Sequence, residues 1–95
     1  MRNAYQKDFF EKLSYMQEET VQIAFGKYKP GDDVEDLLYE VTYDVLAELM
    51  TWIDGYGNFC TDKMDIVNMH TGKGLKQEPF IELHDVIADY LKWQK

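Results

Sequence analysis

The chain has 95 residues, room for one domain near the lower size limit for a self-sufficient core and none for a second. Apolar residues make up 45% of it and aromatic ones 15%, too much surface-averse material for a disordered tail. The formal net charge of −8 argues against nucleic acid or anionic membrane as a direct partner, since both are polyanions, and leaves a basic protein admissible.

Met1 to Phe10 lacks the apolar run of a secretion signal, and no stretch approaches the roughly 18 apolar residues that a membrane span requires. The one cysteine, Cys60, cannot form an internal disulfide, so a reducing cytoplasm and a buried free thiol are expected.

From Asn3 to Phe25, apolar side chains recur at Tyr5, Phe9, Leu13, Met16, Thr20, Val21, Ala24 and Tyr28, the three-or-four spacing of one helix face. Gly26, Pro30 and Gly31 then turn the chain, with Lys27 and Lys29 near the negative end of this first helix. Asp32 or Asp33 can cap a second helix that runs to Tyr56, its end bracketed by Gly55 and Gly57. Its apolar arc holds Val34, Leu37, Leu38, Val41, Val45, Leu49, Trp52, Ile53 and Tyr56. Met64 to Met69 alternates and carries β-branched residues, and Gly72 and Gly74 suit a tight reversal, so a small β-hairpin closing on Leu75 to Gln77 is expected. Glu78-Pro79 fits the start of a third helix, with Phe80, Leu83, Ile87, Tyr90 and Leu91 on its apolar face, reaching almost to the C-terminus. The expected fold is mainly α with a minor β part: a single domain, residues 1–95, of three helices with the hairpin between the second and third.

Charge is distributed unevenly. Residues 30–62 hold nine acidic groups and no basic one, while the segments on either side are nearly balanced. Asp32, Asp36, Glu40, Asp44 and Glu48 recur every fourth residue and line one stripe, where each like-charge neighbour pair costs roughly 0.2–0.5 kcal/mol. Two readings follow: a face paired with the lysines and arginine of helix one, or a surface for a basic partner. Tyr39 and Tyr43 border the stripe, and tyrosines either pack at the edge of a core or anchor interfaces.

Other chemistry is poorly supported. Carboxylates four apart can share a metal, but no Glu-x-x-His pair accompanies them, and the stretch from Asp54 has Phe59 where a calcium loop needs its glycine. No cofactor or metal is expected. His70 and His84 have no partnered nucleophile, and one serine, Ser14, with one cysteine leaves little inventory for a triad. Gly72-Lys73-Gly74 lacks the rest of a phosphate loop and reads as a turn.

In size, charge and acidic second helix the chain resembles the small immunity proteins that neutralise nuclease toxins. It departs from them in lacking their third-helix tyrosine pair followed by proline. The resemblance implies an inhibitor or immunity-type partner of a basic protein. The residues themselves suggest a noncatalytic cytoplasmic interaction domain using Asp32, Asp36, Glu40, Asp44, Glu48, Tyr39 and Tyr43. The alternative is a homo-oligomer packed through a second apolar helix face. An enzyme ranks third, and would need a pocket uniting His84 with two acids of helix two.

Overall fold

A computed structural model describes residues 1–57 and 62–94. Cys60 lies outside the described residues, as does the Asn58-Phe59 part of the rejected calcium loop. The chain is mainly helical, with α1 (Ala4–Lys27), α2 (Val34–Ile53), α3 (Leu83–Val86) and one 3-10 turn (Ile87–Asp89). It divides into two compact units, Met1–Leu46 with the segment from Lys92 onward, and Ala47–Leu91.

In the first unit, α1 is started by a reciprocal cap. The Asn3 carboxamide oxygen accepts from the Gln6 amide at 2.8 Å, and the Gln6 side chain accepts from the Asn3 amide at 2.9 Å, satisfying two of the donors a helix start leaves free. Met16 and Ala24 are buried, with Phe9, Leu13 and Thr20 half-buried. Tyr5, Val21 and Tyr28, expected on the same face, are exposed. After the turn, Asp33 is the cap of α2: its Oδ1 accepts from the amides of Glu35 at 2.9 Å and Asp36 at 3.4 Å. Asp32 stays outside the helix, its carboxylate accepting from the Lys29 amide at 2.8 Å.

The apolar arc of α2 is covered unevenly. Trp52 and Ile53 are buried and Leu37, Val41, Val45 and Leu49 half-buried, but Val34 and Leu38 remain 55% and 57% exposed, and Leu46 is exposed as well. Val34 and Leu38 share the side of the helix that carries Trp52 but stand in its first turns, so cover varies along the helix rather than around it. The helix stops three residues short of Tyr56. Gly55, at φ 94°, closes it: its amide donates to Trp52 O at 3.0 Å while the Tyr56 amide reaches Thr51 O at 3.0 Å, the paired bonds of a left-handed helix terminus. A side chain at Gly55 would also press on Lys63, its Cβ falling 2.5 Å from Lys63 Cγ. This terminus leaves Asp54 as the capping residue.

The β-hairpin is not formed: no strand occurs among the described residues, only one antiparallel bridge, Val67 to Gly74. The reversal is where the glycines place it, but side chains intercept the backbone donors a ladder would use. Asp65 Oδ1 accepts from the Ile66 amide at 2.7 Å, and Thr71 Oγ1 from the Lys73 amide at 3.2 Å. The third helix is also much shorter than expected. Glu78 and Pro79 precede it, joined by a cis peptide, and Phe80 and Tyr90 of the expected apolar face are exposed. It begins at Leu83 because the acceptor for its first amides is supplied from elsewhere in the chain, by Asp54.

Candidate functional site

In the first unit, the last turn of α1 and the first turns of α2 enclose a cleft of about 200 Å³. Its carboxylates are Asp32, Asp33, Asp36 and Glu40, and Lys27 is the one cation among the described residues that line it. Tyr28 and Leu37 supply apolar wall. Lys27 Nζ lies 3.8 Å from Glu40, both side chains well exposed, so this pair contributes at most about 1 kcal/mol. Among the described lining residues, helix one therefore contributes one ammonium. The rest of the stripe does not join it: Asp44 and Glu48 are half-buried further along α2, as are Tyr39 and Tyr43.

The second unit contains a cluster built on Asp54, whose side chain is fully buried. Oδ1 accepts from the Leu83 amide at 3.0 Å and lies 3.2 Å from Lys76 Nζ; Oδ2 accepts from the His84 amide at 2.8 Å and from His84 Nδ1 at 2.6 Å. A carboxylate only accepts, so His84 Nδ1 carries the proton in that bond. Lys76, itself buried, also donates to the Met64 carbonyl at 3.1 Å. His84 Nε2 lies 3.3 Å from Asp85 Oδ1, and the Tyr56 hydroxyl donates to Glu82 Oε1 at 3.2 Å. The Tyr56 ring meets the imidazole edge-on, with centroids 5.4 Å apart. Glu82 Oε2 is buried without a hydrogen-bond partner, 3.7 Å from His84 Nδ1.

This arrangement sets the protonation states. Burial pushes the Asp54 carboxyl up, but the His84 and Leu83 amides, the imidazole and the Lys76 ammonium outweigh it and hold it below its ordinary value of 3.8. The bond to Asp54 raises His84 above 6.5 against the opposing effect of burial, helped by the charges of Asp85, Asp54 and Glu82. The bond to Glu82, and then its charge, keep the Tyr56 hydroxyl protonated beyond its usual range. A raised histidine stabilises the fold fully below 6.5 and loses that contribution as pH climbs through its folded value. A lowered carboxyl stabilises above 3.8 and loses it as pH falls. The pair is therefore strongest between those two values. In chelator-treated protein, Tm is expected to fall as pH rises from about 6 to 8, and His84→Gln to flatten that slope. An unchanged slope in the variant would exclude His84 as its source.

The acidic period of four is legible in sequence, although its first member, Asp32, stands in the turn before the helix; this cluster is not legible. On sequence alone His84 reads as a lone imidazole and Asp54 only as a failed calcium-loop residue. The local signal, Glu82, His84 and Asp85 within four residues, is legible; the Asp54 and Lys76 contacts have none. His84 meets one acid at the end of helix two and no member of the stripe. Comparison with protein-family models, curated proteins and solved structures finds no match. No helix among the described residues is long and apolar enough to cross a membrane.

Proposed function

We propose that the chain is a noncatalytic interaction domain that receives a basic side chain of a protein partner in the acidic cleft at the start of α2. The observation that supports this is the acidic lining of that cleft, with Asp32 and Glu40 at its wall and Tyr28 and Leu37 beside them to contact the aliphatic stem of a lysine or arginine. Glu40 and Lys27 are exposed enough for an incoming cation to compete with their mutual contact. The resemblance to small immunity proteins would give this reading the form of an inhibitor or immunity-type role against a basic protein, and the chain's negative charge is compatible with such a partner.

The test is capture of a basic partner on the immobilised chain at about 50 and 500 mM salt, across which screening shortens severalfold. Replacing Asp32 and Asp36 together by lysine is expected to weaken capture roughly tenfold or more while leaving the helical circular dichroism in place. Capture that is indifferent to both salt and charge reversal excludes the cleft.

A second reading, self-association, is favoured by the exposed apolar side chains Val34, Leu38 and Leu46 on α2. Solution mass separates the two: a monomer at tens of micromolar removes self-association, and a dimer dissociated by Leu38→Lys supports it.

A further inference from the structure

We infer that Asp54, Glu82 and His84 form a binding site for a borderline divalent cation, with Zn²⁺ as its natural probe. Each residue offers one donor, and the three donor atoms lie within 4.8 Å of one another in the second unit. Around a tetrahedral ion with bonds of about 2.0–2.2 Å, donors stand about 3.3 Å apart. His84 Nδ1 is now 2.6 Å from Asp54 Oδ2 and 3.7 Å from Glu82 Oε2, so adjustments of about 1 Å in side-chain torsions bring the set to that spacing.

The surroundings of the three donors carry the inference further than their proximity. In metal centres the other atom of each ligand is held by a hydrogen bond that fixes its orientation. Two such bonds are present here, and a carboxylate stands beside the outer atom of the third ligand. The second imidazole nitrogen of His84 lies 3.3 Å from the carboxylate of Asp85, placed to keep a proton there once a metal has taken the one on Nδ1. The Tyr56 hydroxyl holds Glu82 Oε1, and the Leu83 amide and Lys76 ammonium hold Asp54 Oδ1. The atom left without a partner is Glu82 Oε2, buried and next to His84 Nδ1. Charge agrees: with a neutral imidazole, Asp54, Glu82 and Asp85 against Lys76 leave two negative charges, which a divalent ion neutralises.

Binding replaces the Nδ1 proton by the metal and releases that proton to solvent, while Lys76 stays on the other oxygen of Asp54. Three protein donors leave a fourth position for water, as in exchangeable rather than closed sites. One nitrogen and two carboxylate oxygens suit Zn²⁺ better than Ca²⁺ or Mg²⁺, which favour all-oxygen shells.

The experiment is calorimetric titration of the chelator-treated chain with Zn²⁺, followed by thermal melting with and without the ion. One equivalent is expected to bind and to raise Tm. Glu82→Gln removes a donor whose Oε2 makes no hydrogen bond, so it should keep the metal-free Tm near wild type and lose at least tenfold in affinity. His70→Ala, at the exposed turn, should bind as wild type does. Absence of one-equivalent binding, or Glu82→Gln binding Zn²⁺ as tightly as wild type, overturns the site; so does loss of binding in His70→Ala alone.

Discussion

Replacing Asp54 with alanine is expected to destabilise the fold by roughly 3–5 kcal/mol, the range for removing one partner of a buried ion pair. The side chain is fully buried and accepts four contacts, from two amides, an imidazole and an ammonium. Without it Lys76, buried to 6% exposure, keeps only the Met64 carbonyl, and the first amides of α3 lose their acceptor. The Asp54→Asn variant should recover little, because a carboxamide NH₂ group would point at donors. Urea unfolding followed by the fluorescence of buried Trp52 measures the effect. A loss under about 1 kcal/mol would show that water replaces Asp54 in solution and that the cluster is not a fixed centre.

Met16→Ala should cost about 2–5 kcal/mol, the range for emptying a buried large side chain into a core that only partly collapses. Met16 is 1% exposed and lies in a unit with few other buried apolar residues, so little neighbouring material is available to fill the gap. Leu38→Ala provides the internal comparison: at 57% exposure it should stay within about 0.5 kcal/mol. If both substitutions cost alike in urea melts, Leu38 is covered in solution, and the self-association reading gains where the monomeric one loses.

What can be read in advance divides by range. Asn3 and Gln6, Asp33 with the amides after it, and Gly55 with Trp52 and Thr51 all act across at most five residues, so the positions of α1 and α2 follow from sequence to within three residues. The hairpin fails for a reason equally local but hard to weigh: the side chains of Asp65 and Thr71 take the Ile66 and Lys73 amides that pairing across the reversal would use. Helix three fails for a non-local one. Pro79 looks like a first helical residue, yet the helix waits for Leu83, where an aspartate 29 positions earlier accepts the first amide. The acid stripe is visible as a period of four, but its membership in a cleft is not. Asp32 sits in the turn rather than on the helix, and Lys27 from α1 completes the wall.

The Asp54 cap also bears on the order in which the chain acquires structure. A four-residue helix has no standing of its own, since isolated helices shorter than about 12 residues are marginal even in favourable sequences. Leu83 to Val86 can become helical only once the loop back to Asp54 has closed, an event whose entropic cost precedes any contact that rewards it. The long helices carry their own caps, whereas α3 depends on closure, so its helicity reports whether that loop is shut.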